Sequence, residues 1–468
     1  MTTLNTSAGT GKADFHEVAA SFLDQPGLPF TDILNAVDIE QIFADHSALF
    51  ATDAIYSTPL VLWAFLAQVL SDGKGAACAK AVADIATYTQ QAARPTPSGN
   101  TGDYCRARAK LDPAALSDLV RQSARQLDDQ ARPEWLWQGR RAKLVDGVTF
   151  TLPDTPANQE VFPQQKTQDP GIGFPIARAC AVLSLATAAI HDVAIGPYAG
   201  KETGETALLR TMLDGFDSGD VVVFDRYYCS YMMLALLAAR GVDVCARLHQ
   251  CRPDDFSQGR PLGTYDRLVT WSRPKRPTWM SPQQYEEIPE TLTLRMLQFD
   301  VTVPGQRTET ITVVTTMTDP VAYPKEAIAE LYGYRWYAEL DIRDIKQTLG
   351  LDHARCKSPE MVERELWVTL LAYNLIRKVI ATAAAVHDKQ PRQIGFTLAC
   401  QTVLSSWMMM ATGACRDAQG LTDSALSRIA ANEVANRPGR IEPRVLKRRR
   451  QGYPLMTQPR AQLRKALA

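Results

Sequence analysis

Apolar and polar positions alternate with three different rhythms along the chain. Up to about residue 135 the spacing is helical, as in "LVLWAFLAQVL" and "LDPAALSDLVRQSARQL", with the Pro/Gly/Ser/Thr-rich linker "ARPTPSGNTGD" between them. Then "AKLVDGVTFTLP" reads as a strand, and "ACAVLSLATAAIHDVAIGPY" as two more joined by a short turn. A helix in "ETALLRTMLDGF", a buried strand in "GDVVVFDRYY" ending at Asp225, a helix in "SYMMLALLAARG" ending at Gly241 and a strand in "VDVCARLHQ" follow. Strands first, then alternation with helices, predicts an α/β layer with a mixed sheet.

From Arg252 to about Met317 the period drops to two. "DRLVTWS", "TLTLRMLQFDVTV" and "TETITVVTTM", the last two around the turn "PGQ", predict an antiparallel β insertion. Pro324 then suits the first turn of a helix that should run to near Gly350. In "ELYGYRWYAELDIRDIKQTLGLD" this helix places Leu331, Ala338, Ile342, Ile345 and Leu349 on one stripe, which should face a core. Beside that stripe, Tyr332, Arg335, Glu339 and Lys346 fall within about 60° of one another around the helix. A polar stripe bordering a buried one marks the lip of a cleft. Further helices reach to about residue 435, and the closing "RPGRIEPRVLKRRRQGYPLMTQPRAQLRKALA" is dense in Arg and Lys, with Glu442 its only acid.

Composition narrows the reading only a little. The 468 residues allow a large core with appendages, and 46% hydrophobic residues is ordinary for a globular protein. The formal net charge of +0 means that any surface for nucleic acid must be local. Nine scattered cysteines without a C-x-x-C pair suggest reduced thiols in a cytoplasm, and six dispersed histidines give no zinc pattern. The N-terminus lacks the order of a signal peptide. Leu366 to Val386 is long and apolar, but Asn374, Arg377 and Lys378 interrupt it, which predicts a buried helix and no membrane span. "SAGTGKA" and "GPYAGKETGE" miss the spacing of a phosphate loop and read as turns.

Three acids stand where a sheet edge meets a loop or a cleft-facing helix. Asp146 follows the apolar "LV" of the first strand, although Asp-Gly by itself is a turn signal. Asp225 ends a very apolar strand, where ligand sites of open α/β sheets gather; its plain alternative is a helix cap. Glu339 lies on the polar stripe, and its plain alternative is an ion pair with Arg335 or Arg343. Together, three carboxylates at one end of a sheet can hold two divalent ions about 4 Å apart for phosphodiester cleavage. Mg²⁺ fits such an all-oxygen shell. Tyr332, Arg335 and Lys346 would then grip the flanking phosphates.

With these residues in place, the chain resembles the bacterial DDE transposases of the insertion-sequence-four family. The family signature of Tyr, two residues, Arg, three residues, Glu, six residues, Lys is met by Tyr332, Arg335, Glu339 and Lys346. "VDGVTFTLPDTPAN" resembles the segment with the family's first catalytic aspartate, here Asp146. "GPYAGKETGETALLRTMLDGFDSGDVVVFDRYYCSY" resembles that with the second, here Asp225. The resemblance runs from about residue 100 to the end, and Arg247 resembles a DNA-contacting arginine of the family.

It implies a ribonuclease-H-like mixed-sheet catalytic core with an antiparallel β insertion and helical N- and C-terminal regions. The expected division is 1–135, helical and recognising element ends; 136–251, the first part of the core; 252–318, the β insertion; 319–400, the second part of the core; and 401–468, a helical C-terminal region with a basic tail. It also implies a transposase that cuts double-stranded DNA at element ends and joins those ends to target DNA. The catalysis would be Mg²⁺-dependent, with Mn²⁺ substituting, at Asp146, Asp225 and Glu339, in a homodimer on paired ends in the bacterial cytoplasm. Lys447, Arg448, Arg449 and Arg450 are expected to bind phosphates. Some relatives hold a flipped base on a tryptophan near the end of the insertion; "TITVVTTMTDP" has none, and Trp271 and Trp279 lie earlier. The competing readings are a catalytically silent DNA-binding derivative and a ribonuclease-H-like nuclease without strand transfer.

Overall fold

The computed structural model describes residues 36–51, 54–71, 73–91, 95–301, 309–411, 417–434 and 456–467. Five helices lead: α1 (Ala36–Asp45), α2 (Thr58–Val69), α3 (Cys78–Gln91), α4 (Thr101–Ala109) and α5 (Pro113–Asp129). Their starts follow local chemistry. The Asn100 side chain accepts from the Gly102 N–H, and that of Asp112 from the Ala115 N–H with Pro113 at the first helical position. On α5 the spacing of Leu116, Leu119, Val120, Ala124 and Leu127 buries one face.

Nine strands then build one sheet in the order β3-β2-β1-β4-β5-β9-β8-β7-β6. β1 (Ala142–Thr151) pairs antiparallel with β2 (Ile176–Ser184), which pairs antiparallel with β3 (Ile190–Pro197). β4 (Val221–Phe224) lies parallel to β1, and β5 (Asp243–Arg247) parallel to β4. Three antiparallel strands followed by two parallel ones, with helices between, is the ribonuclease-H-like arrangement expected from the sequence. Val221 to Phe224 are fully buried because helices cover both faces of a parallel strand. The short helix α6 (Pro156–Val161) follows β1, while α7 (Glu205–Arg210) and α8 (Tyr231–Ala238) flank β4.

The inserted strands β6 (Arg260–Gly263), β7 (Asp266–Ser272), β8 (Thr291–Val301) and β9 (Glu309–Thr315), with α9 (Pro282–Glu287) among them, are antiparallel as the alternation predicted. They do not form a separate sheet. β9 pairs with β5 from Cys245↔Thr315 to Arg247↔Val313, so the insertion continues the core sheet.

Beyond the sheet run α10 (Lys325–Gly333), α11 (Trp336–Arg343), α12 (Pro359–Val386), α13 (Phe396–Ala411), α14 (Ala418–Ala431) and α15 (Arg460–Leu467). Among the described residues, α12 alone is long and apolar enough to cross a membrane by length and composition, and it is buried in the core. Its polar residues are matched inside the protein. Asn374 accepts from the Ile190 N–H at 2.8 Å and donates to Ile190 O, Val120 O and Ser123 Oγ at 3.0, 3.2 and 3.0 Å. Arg377 donates to Asp341 Oδ1 at 2.9 Å and to the Tyr373 hydroxyl at 2.8 Å, and Arg392 donates to the other Asp341 oxygen at 3.0 Å. Asp341, Arg377 and Tyr373 are almost fully buried, so each depends on the others to offset desolvation. Removing one partner strands a buried charge. Arg377→Ala is therefore expected to lower the unfolding free energy by about 3–5 kcal/mol, read from denaturant titration against wild type.

Candidate active site

The ladder between β1 and β4 stops at Val145↔Phe224, and that between β4 and β5 at Phe224↔Ala246. The next residues along the three neighbouring strands are Asp146, Asp225 and Arg247. The parallel pairing thus stops in step across the three strands and brings two acids and an arginine to one place, where ligand sites of such sheets form. Asp146 is in the middle of β1, paired with Ala181, and not in the turn that Asp-Gly alone suggests. Its Oδ1 accepts from the Gly147 N–H at 2.8 Å, and its Oδ2 lies 3.9 Å from Arg335 Nη1. Asp225 does cap the tight turn Arg226–Tyr228, accepting from the Tyr227 N–H at 2.8 Å, while sitting at the strand's end. The helix-cap alternative offered by the sequence is thus present at the strand's end.

Glu339 enters from α11. Arg335, one turn earlier, donates to Glu339 Oε1 at 2.7 Å, so one guanidinium lies between Glu339 and Asp146. Burial pushes the Asp146 carboxyl up to about 6; the Gly147 N–H and Arg335 oppose the rise, and the charges of Glu339 and Asp225 add to it. Three acids that feel one another, with a cation already interposed, form a donor set of oxygens suited to a hard divalent ion. Among the described residues, no three His, Cys, Asp or Glu side chains converge tightly enough to chelate a single ion. What links the three acids is charge: Glu339 and Asp225 both raise the Asp146 carboxyl.

The polar stripe is less regular than its periodicity suggests. The expected single helix breaks after Gly333, where Tyr334, Arg335, Tyr337 and Ala338 all bond back three residues, at 2.9 to 3.1 Å. Gly333 has weak helix propensity, and the stacked Tyr334 and Tyr337 rings, 5.7 Å apart, favour the tightened turn. After Arg343 the helix widens into a π turn, Asp344–Thr348, and Gly350 ends it at φ +73°. Leu331, Ala338, Ile342, Ile345 and Leu349 are buried, as the apolar stripe requires.

The four signature residues are consequently not equivalent. Arg335 and Glu339 face the cleft. Tyr332 is buried edge-on to Phe299, its ring centroid 6.5 Å away, and burial pushes its hydroxyl up to about 12, with the charges of Arg335 and Arg247 lowering it. Lys346 donates to the Thr149 carbonyl of β1 at 3.0 Å and pairs with Asp352 at 2.8 Å. Arg247 ends β5 close enough to Tyr332 to act on it. Trp271 carries the Arg252 guanidinium 3.5 Å above its ring, and Trp279 that of Arg210 at 4.0 Å. Lys447, Arg448, Arg449 and Arg450 lie outside the described residues.

The sequence reading missed Glu205. Its carboxyl lies against the Cα of Gly147, accepts from the Tyr228 hydroxyl at 3.3 Å, and is raised by burial with Asp225 adding to the rise. The signal available was Gly147 itself, since a glycine inside a strand marks a close approach. "GPYAGKETGE" links the end of β3 to α7, and its last residue is this glutamate.

Comparison with known proteins shows the family. The transposase DDE domain family matches residues 137–375. The transposase InsG for insertion sequence element IS4 of Escherichia coli is 29% identical over 354 residues, 74% of this chain and 76% of that protein. The putative transposase InsZ of Escherichia coli is 26% identical over 139 residues, 29% of this chain and 44% of that protein. Among solved structures, a piggyBac transposase synaptic complex with hairpin DNA is similar over 90% of this chain and 86% of that one, at a TM-score of 0.40 and 9% identity. The chain belongs to the DDE transposases of the insertion-sequence-four family, DNA-binding enzymes that cleave element ends and join them to target DNA with the help of divalent metal.

Proposed function

We propose that Asp146, Asp225 and Glu339 are the residues that hold the divalent metal, and that the metal is Mg²⁺, with Mn²⁺ able to replace it. The observation that carries this reading is the end of the β1–β4 ladder one pair before Asp146 and Asp225, which leaves two carboxylates on neighbouring strands, with Asp225 and Glu339 both near enough to raise Asp146. When bound, the metal supplies Lewis acidity to the attacking and leaving oxygens. Asp146 and Asp225 orient by their strands and Glu339 by its helix. Arg335, released from Glu339, can turn its planar fork to a phosphate. Arg247 and Lys346 add positive charge around the same edge, and Tyr332 offers its hydroxyl from the wall of the cleft. The N-terminal region, residues 1–135, is assigned to element-end recognition and the basic tail to non-specific phosphate binding. Two element ends joined together call for two copies of the site, hence a homodimer on DNA.

Intact acids in one place speak against a silent DNA-binding derivative, and a strand-transfer assay separates a transposase from a plain nuclease. Asp225→Ala is expected to reduce cleavage of a labelled end substrate by at least about a hundredfold while end binding measured in EDTA changes little, because the phosphate contacts lie elsewhere. Cleavage at near the wild-type rate would sink the assignment.

The raised Asp146 carboxyl has a signed consequence for the metal-free protein. A folded-state value of about 6 against 3.8 favours the neutral acid in the fold, so its stabilising effect is complete below 3.8 and is lost as pH rises through 6. Asp146→Asn should therefore stabilise the protein in EDTA by about 2–3 kcal/mol above pH 7, with the gain fading towards pH 4. Thermal unfolding across that range measures it; a gain independent of pH contradicts the origin in charge burial.

Lys346→Ala should slow cleavage without weakening Mn²⁺ binding to the isolated protein, and Lys346→Arg should rescue only partly, since a planar fork replaces a compact ammonium held by Thr149 and Asp352. Wild-type cleavage by Lys346→Ala would mean that the lysine is a structural tie alone.

A further inference from the structure

Side chains alternate across the sheet, so Val145 and Gly147 point to one face of β1 and Asp146 to the other. The strand sits between two cores that reflect this. Val145 packs with Cys180, Leu208 and Tyr228, under α7 and α8, whereas Leu144 and Ala181 belong to the core on the face carrying α11 and α12. Glu205 therefore approaches β1 from the face opposite Glu339. A Cβ built on Gly147 would fall well inside 3.0 Å of the Glu205 carboxyl carbon and both of its oxygens. The carboxylate occupies the niche that any other residue's side chain would need.

What holds it there links the two aspartates. The Tyr228 hydroxyl, fully buried, donates to Glu205 Oε2 at 3.3 Å and stands 3.5 Å from the Cys180 thiol, and Cys180 is the β2 partner of Gly147. Tyr228 is the last residue of the turn that Asp225 caps. A single carboxylate thus touches the residue after Asp146 and the end of the turn after Asp225. The β1–β4 ladder has already stopped at Val145↔Phe224, so no backbone hydrogen bond of that ladder fixes the spacing of the two acids.

We propose that Glu205 is a positioning residue of the active site: seated in the Gly147 niche and held by Tyr228, it braces the middle of β1 against the turn after β4 and so sets the separation of Asp146 and Asp225. The proposal rests on those two aspartates being the cation ligands. Supports behind metal ligands typically contribute about 10–100-fold to metal affinity, because a looser pair of carboxylates must be reordered on binding.

The test is Mn²⁺ binding to the full chain by calorimetry, with melting temperature, end-DNA affinity and cleavage measured on the same samples. Glu205→Ala empties the niche and Gly147→Ala expels the carboxylate, so each should weaken Mn²⁺ binding by roughly tenfold or more while end-DNA affinity measured in EDTA stays at the wild-type value. The double variant should be no worse than Glu205→Ala, since the new methyl then enters an empty niche; additive losses overturn the brace. Glu205→Gln keeps the shape and the acceptor for Tyr228 and should bind Mn²⁺ within about threefold of wild type, less than half of one 1.4 kcal/mol tenfold step. If Gln is as damaging as Ala, charge and not bracing is what matters, and the proposal fails. Should Gly147→Ala not fold, Glu205→Ala against Glu205→Gln decides alone. Asp225→Ala is run beside them. Unchanged Mn²⁺ affinity there removes the acidic centre and the brace with it, whereas a loss there with wild-type affinity in Glu205→Ala and Gly147→Ala overturns the brace only.

Discussion

Carboxylates gathered in a half-buried cleft repel one another, and side chains alone are too flexible to resist that push. In this protein the opposition comes from backbone. Asp146 and Asp225 are the first residues past the end of a parallel ladder whose preceding pairs, Val145 and Phe224 among them, are fully buried. Their strands are anchored up to the preceding pair, and the acids stand one step beyond it. The repulsion shows in the Asp146 carboxyl, pushed up to about 6 by burial with help from its two acidic neighbours. Nearly everything else near the cleft either holds these residues in place or partly neutralises them.

Glu339 needs a different kind of support, because it rides on a helix broken at Gly333 and widened after Arg343. Two residues along, on the side turned inward, Asp341 is locked by Arg377 from α12 and by Arg392, which also donates to Ser184 O at the end of β2. One buried carboxylate thereby joins α11, α12 and the sheet. The irregular segment is stiff where Asp341 is held and free to be irregular on either side of it.

How much of this could be read beforehand depended on distance along the chain. Strand β4 and the stripe of Leu331, Ala338, Ile342, Ile345 and Leu349 are local periodicities, and both are where the pattern put them. The Arg335–Glu339 pair is an i,i+4 relation and was legible as well. The junction of β9 with β5, which makes the insertion part of the core sheet, depends on pairing across some seventy residues that alternation cannot specify. Asp-Gly was ambiguous for a physical reason: glycine serves turns by its backbone freedom and strands by its missing side chain, and only the position of Glu205 tells which applies. The break at Gly333 goes with the stacking of Tyr334 on Tyr337, and the π turn holds a lysine tied to the Thr149 carbonyl of β1, neither of which a periodicity shows.

Arg335 donates to Glu339 and lies near Asp146, filling with the protein's own charge the place where positive charge is wanted. A cation that takes Glu339 and a phosphate that takes Arg335 must break the same ion pair. Whichever arrives first bears that cost, and the second finds its partner already free. Binding of a positive and a negative ligand is then cooperative without any change in fold, and by thermodynamic reciprocity each strengthens the other by the same factor. An enzyme wired in this way would hold its metal most firmly when DNA is present, and its DNA most firmly when metal is.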